Sequence, residues 1–194
     1  MKTLENTYYE LSKTKEHLEY ILIIIGVLIT PIVLPLVAIN NQFIIGSIVN
    51  AALIIAGINV KGWKKIIFLI TLPSIYAMTT GLILSTTSIY AVYMIPFIWL
   101  GNLSIIYLYR YLFVKKQKNY ALTSLISIIA KASIIFIGFN ILILTTLISN
   151  NTMLLEIMSK VMGINQIITC TIGSIIALTI LNVFYKNKEK LSSN

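Results

Sequence analysis

Apolar residues fill this chain in six long runs separated by short polar joints. The runs lie near 20–39, 43–60, 65–85, 88–113, 120–149 and 161–184, each close to the ~20 residues a helix needs to cross a ~30 Å hydrocarbon core. The pattern predicts an all-α, polytopic membrane protein: a six-helix transmembrane bundle over 20–184, with an N-terminal tail (1–19) and a basic C-terminal tail (185–194). The first 19 residues carry four Glu beside three Lys, and no small-residue cleavage site follows the first run. A removable signal peptide is therefore not expected.

Basic residues avoid alternate joints. Lys2, Lys13 and Lys15 precede the first run; Lys61, Lys64 and Lys65 join the second to the third; Arg110, Lys115, Lys116 and Lys118 mark the fourth-to-fifth joint; Lys186, Lys188 and Lys190 follow the sixth. Thirteen of the fifteen bases thus fall on one side, against Lys160 alone on the other. The positive-inside rule puts both termini in the cytoplasm and the chain in the cell (inner or plasma) membrane, and only an even number of spans satisfies it. Trp63, beside Lys64 and Lys65, reads as an interfacial anchor.

The joints on the opposite face are short and polar, "NNQ" near Asn40 and "STTS" near Ser85, except for "SNNTMLLEIMSK". There Met153, Leu154, Ile157, Met158 and Val161 recur at helical spacing, as in a short interfacial helix capping a cavity, or in a greasy loop on the headgroups.

Composition agrees: 58% hydrophobic and 11% charged residues leave too little polar surface for a water-soluble globule. The formal charge of +9 is not a nucleic-acid footprint, because the bases sit between apolar runs instead of on one exposed face. Cys170 is alone and lies within an apolar run, so it reads as small packing material.

What the chain lacks narrows the chemistry. It has no Asp, its single His is His17 in the N-terminal tail, and its six Glu lie outside the runs or at their margins. No metal cluster, Ser/His/Asp arrangement or carboxylate pair assembles inside the membrane, so neither an enzyme nor a cofactor is expected. The same shortage speaks against proton relays built from intramembrane acids or His. The phosphate loop G-x-x-x-x-G-K-[ST] is absent too.

One residue breaks the apolar pattern. In "SIIAKASIIFIGFN" Lys131 stands eleven residues past Tyr120, ~16 Å into the fifth run and close to the midplane. A charge there costs ~3 kcal/mol on insertion scales. Ser124, Ser127, Lys131 and Gly138 share one helix face, and small and polar faces turn toward other helices, so Lys131 points into the bundle. No acid is available at that depth. The lysine is then uncharged, hydrated, bonded to carbonyls freed near Pro31, Pro35, Pro73 or Pro96, or matched by an anionic group from outside the chain.

Asn50, Asn102, Asn140, Asn165 and Gln166 are the other polar groups at depth. Gln166, Thr169, Gly173 and Ala177 form a small-residue ridge suited to close helix packing, a spacing repeated by Ala52 with Ala56 and Ala77 with Gly81. Asn140 is half a turn out of phase with Lys131, so the two do not share a face. In the fourth run Tyr90 reads as an interfacial belt residue, whereas Trp99 lies deeper and, with Asn102, offers a ring and an amide to a flat solute.

The segments "MIPFIWLGNLSIIYLYRYL", "ALTSLISIIAKASIIFIGFNILIL" and "MGINQIITCTIGSIIALTIL" resemble the last three helices of the substrate-binding S components of energy-coupling-factor vitamin transporters. "NNQFIIGSIVNAALIIAGINVKGWKK" is similar to their second helix. The resemblance implies a subunit that captures a vitamin-like solute for uptake. It also implies partners: a transmembrane coupling protein and two ATPase subunits. It places Lys131, Asn140 and Gln166 as ligand contacts, to which Trp99 and Asn102 add the ring and amide. Many members carry an Ala-xxx-Ala pair in the first helix, where this chain offers only Gly26 and Thr30. The rival expectation is a non-transporting membrane scaffold or assembly partner whose polar interior serves helix packing.

Overall fold

The computed structural model describes residues 42–79, 88–144 and 162–192, together with Glu156 and Ser159. Among them there are helices and turns and no strand. The first predicted run, 20–39, lies outside the described residues, as do 80–85 and 145–149 and the joints at Asn40, at Ser85 and across most of 150–160.

Helix α1, Gln42–Asn59, fills the second run. It is joined by Val60–Gly62 to α2, Trp63–Thr79, which carries Pro73 inside it. The joint turns at Gly62, whose φ of +97° is a conformation that L side chains rarely adopt. Helix α3, Ser88–Leu108, contains Pro96 and passes directly into a wider π-type segment, Tyr109–Lys115. That segment closes with Lys116 N–H donating to the Tyr111 carbonyl at 2.9 Å. Asn119 then starts α4, Tyr120–Leu144, by accepting the Ala121 N–H on its side chain at 2.8 Å. Helix α5, Ile164–Ser192, continues eight residues beyond the end of the sixth run at 184. Lys and Glu are good helix formers, so the helix outlasts the apolar stretch that started it.

Among the described residues three apolar stretches are long enough to cross a membrane: Val92–Lys115, Tyr120–Ile141 and Ile164–Asn182. The apolar part of α1, Phe43–Asn59, is shorter. The core holds large apolar side chains such as Leu53, Leu69 and Ile105, and the outer surface is apolar as well. On α4, Leu125, Ile129, Phe136 and Ile137 are more than half exposed, while Thr123, Ser124, Ser127 and Lys131 are buried. On this helix the small and polar side chains, together with Ile135 and Phe139, meet other helices, and further large apolar ones face outward, as lipid permits. Trp63 stands exposed at the start of α2 beside Lys64, where an interfacial anchor belongs.

α1 lies at the centre. Its consecutive residues Asn50 to Ile54 are all buried, so every face of the helix is covered. Its most extensive contact is with α5, and that of α3 is with α4. Two glycines permit the close approach: a Cβ at Gly57 would lie 3.0 Å from the Ile106 carbonyl oxygen of α3. One at Gly173 of α5 would lie 2.7 Å from Asn50 Cβ and 2.8 Å from the Ser47 carbonyl oxygen. The ridge of Thr169, Gly173 and Ala177 is the α5 face pressed against α1, with Thr169, Gly173 and Ala177 all buried. Arg110 ties α3 to the end of α1, its guanidinium donating to the Gly57 and Val60 carbonyls. A cation at a helix C-terminus also complements the helix dipole.

Gly173→Ala is expected to push α1 and α5 apart against backbone, not against a flexible side chain tip. Overpacking of this kind costs about 1–3 kcal/mol, more than the ~1 kcal/mol helix preference of Ala over Gly. Thermal unfolding in mild detergent should show a lowered midpoint; an unchanged or raised midpoint would contradict the close α1–α5 contact.

Candidate functional site

Lys131 is 4% exposed, and its ammonium is held by two neutral amides from two other helices. Nζ donates to Asn50 Oδ1 of α1 at 2.6 Å and to Asn102 Oδ1 of α3 at 2.8 Å. Asn50 Nδ2 donates in turn to Thr169 Oγ1 of α5 at 3.3 Å, and Thr169 Oγ1 to the Gln166 carbonyl at 3.2 Å. One bonded network therefore crosses α4, α3, α1 and α5. Gly101 makes room for the lysine stem, since a Cβ there would lie 3.1 Å from Lys131 Cγ.

Hydrogen bonds to a charged group contribute about 1.5–3 kcal/mol each, so two of them are of the size needed to offset the ~3 kcal/mol insertion cost of a mid-membrane charge. Both acceptors are neutral, so a protonated Lys131 keeps a positive charge that they do not cancel. A lysine ammonium has three donors. Asn50 and Asn102 take two, and among the described residues no carboxylate meets the third. The partners are side-chain amides, not backbone carbonyls released at Pro73 or Pro96.

Of the residues expected to meet a solute, Lys131 and Asn102 are brought together. Trp99 lies one turn from Asn102 on α3 and packs against the core cluster, with its buried Nε1–H lacking a hydrogen-bond partner among the described residues. Asn140 turns away and donates to the Phe136 carbonyl of its own helix at 2.7 Å, in keeping with its half-turn offset from Lys131. Gln166 is half-buried, and its backbone carbonyl receives the Thr169 hydroxyl. Cys170 is buried in the apolar core. Tyr93 is largely exposed. No group of three or more metal-binding side chains occurs among the described residues.

A second polar cluster lies nearer the Arg110–Lys118 end, where α3 and α4 are joined. Tyr109 Oη is 2.6 Å from Ser124 Oγ and 3.2 Å from Ser174 Oγ, and the two serines are 2.8 Å apart. Tyr120 Oη donates to the Ser174 carbonyl at 2.7 Å. Between this cluster and Lys131 sits Ser127, 1% exposed, whose Oγ has no hydrogen-bond partner among the described residues.

Sequence reading picked out Asn50 as a polar group at depth but did not pair it with Lys131, and it passed over Tyr109, Ser174 and Tyr120. An amide in an apolar run 81 positions from a buried lysine marks both as interior and does not say that they touch. Ser124 was legible, because it shares the lysine's helix face.

Asn50→Leu should leave the ammonium with one amide and Thr169 without its donor, lowering stability by about 1.5–3 kcal/mol. Combining it with Lys131→Met removes the stranded charge, so the double variant should be more stable than the sum of the singles by about 1 kcal/mol or more. Additive losses in thermal or denaturant unfolding would contradict the pairing.

Comparison with family models, curated proteins and solved structures finds no match, so the functional reading rests on the residues just described.

Proposed function

We propose that this chain is a solute-binding subunit of the cell membrane, with six spans and both termini in the cytoplasm. It captures a small organic solute for uptake and has no ATPase of its own. The energy comes from separate ATPase subunits through a transmembrane coupling protein. The observation that carries this reading is the Lys131 amine, buried between helices with two neutral amides as its hydrogen-bond partners among the described residues. In a low-dielectric interior an uncancelled positive charge attracts an anionic group far more strongly than it would in water. The indole of Trp99, with its unpaired Nε1–H, adds a flat surface and a donor one turn from Asn102. The preferred solute is a small ring compound bearing a carboxylate or another anionic or carbonyl group.

A second reading has its own support. The Lys131, Asn50 and Thr169 bonds join four helices, and a polar clasp of this kind serves a scaffold equally well by fixing helix register.

Native mass spectrometry of the chain purified in mild detergent separates the two. The binding subunit is expected to carry a small acidic or carbonyl-bearing molecule that is lost from folded Lys131→Met, whereas a scaffold carries none in either form. Orientation is checked in a Cys170→Ser background. A cysteine at Ser85 should react with an impermeant thiol reagent in intact cells, and one at Lys116 only after permeabilisation. The opposite pattern would overturn the importer reading.

A further inference from the structure

We propose that the end of the bundle where Arg110 ties α3 to α1 holds an anionic phospholipid of the surrounding bilayer, its phosphate taken by Arg110, Lys61 and Lys115. The inference needs a chain that spans the membrane and is independent of any solute.

It starts from two basic stretches that are far apart in sequence and adjacent in the fold. Lys61 and Lys64 flank Gly62 and Trp63 where α1 passes into α2, and Lys115, Lys116 and Lys118 end the π-type segment and the joint after it. All five are exposed. Arg110 brings the stretches together. Its guanidinium donates to the carbonyls of Gly57 and Val60, and Val60 is next in sequence to Lys61. Lys115 follows Arg110 by five residues, one turn of a helix bonded in the wider π pattern. The close approach of Gly57 to the Ile106 backbone holds the same two elements in contact.

This clasp leaves donors to spare. A guanidinium carries five N–H groups, of which half-buried Arg110 turns two toward α1; the others meet no acceptor among the described residues. The surface beside it is open, since a Cβ on Gly62 would touch nothing within 4 Å. A planar guanidinium flanked by ammonium groups is a side-chain set suited to a phosphate.

The chain has little acid of its own to place there. No Asp or Glu occurs between residues 20 and 155, and the four Glu of the first 19 residues stand beside three Lys, which leaves that stretch close to neutral. Like charges gathered at one end of the bundle repel one another, and an anion among them relieves the repulsion.

Depth selects a lipid over a soluble anion. Trp63, between Lys61 and Lys64, is 59% exposed, and tryptophan prefers the level of the headgroups. Tyr107 and Tyr111 are exposed as well and stack with ring centroids 5.9 Å apart, and Lys116 Nζ stands 5.7 Å from the centre of the Tyr111 ring. A ligand with both a phosphate and acyl chains meets the charges and the rings at once, whereas free phosphate meets only the charges. Basic pockets between transmembrane helices take anionic headgroups in this way.

The test is native mass spectrometry of the full chain in mild detergent, equilibrated with equal amounts of phosphatidylglycerol and phosphatidylcholine bearing the same acyl chains. The wild type should favour phosphatidylglycerol by roughly a hundredfold, at about fivefold for each of the three bases near the headgroup. Lys61→Gln combined with Lys115→Gln changes two exposed side chains and should leave a preference of only about fivefold. Lys188→Gln combined with Lys190→Gln lowers the net charge equally on the C-terminal part of α5 and should leave the preference unchanged. Equal retention of the two lipids by the wild type, an unaltered preference in the Lys61 and Lys115 pair, or an equal loss in both pairs overturns the proposal.

Discussion

The burial of the Lys131 amine, with no acid among the described residues to meet it, sets the terms for the rest of this bundle. Lys131 cannot reach water along a lipid-facing surface, so its protons must be accepted by other helices, and the chain supplies Asn50 and Asn102 for that purpose. Such a contact tolerates little error in rotation or rise, because hydrogen bonds weaken steeply as they lengthen and bend. The helices also meet closely at three glycines. Gly101 opens the path of the lysine stem, and Gly57 and Gly173 let α1 sit against α3 and α5. The small residues and the charge are thus two sides of one constraint.

The remaining packing follows from which groups that constraint leaves inside. The interior sets amides, hydroxyls and small side chains among large apolar ones such as Leu53, Leu69 and Ile105, and the outer surface is rich in Leu, Ile and Phe too. In water this arrangement would be unstable. In lipid it is favourable, because apolar chains gain little by leaving hydrocarbon, whereas polar groups gain much by finding one another. Arg110 applies the same economy at the end of α1, where its guanidinium satisfies the Gly57 and Val60 carbonyls.

Much of this was legible in the chain, and the illegible part has a physical reason. The second run matched α1 within a residue at each end, and the fifth began at Tyr120 as α4 does, because a hydropathy change and an Asn cap both mark that start. The face shared by Ser124, Ser127, Lys131 and Gly138 is buried, as helical period and lipid chemistry require. The ridge from Thr169 to Ala177 is a packing surface, again as its small residues foretold. Pairing across helices was not legible: nothing local links Asn50 to Lys131, and carbonyls near the prolines or an outside anion are equally open as partners. Nor did any signal announce the π-type turn after Leu108 or the continuation of α5 past the apolar run, since hydropathy ends where lipid ends and helix propensity does not.

The most direct test of the central interaction is a distance measured in a lipid bilayer. Solid-state NMR dephasing between lysine ¹⁵Nζ and asparagine ¹³Cγ, with Lys131→Met as the blank, reads whether this ammonium touches an amide. Hydrogen bonds of ordinary length place those nuclei about 3.5–4 Å apart, so strong dephasing of the Lys131 signal is predicted. An Lys131 signal that survives undephased, as for a lysine surrounded by water or lipid headgroups, would contradict the account.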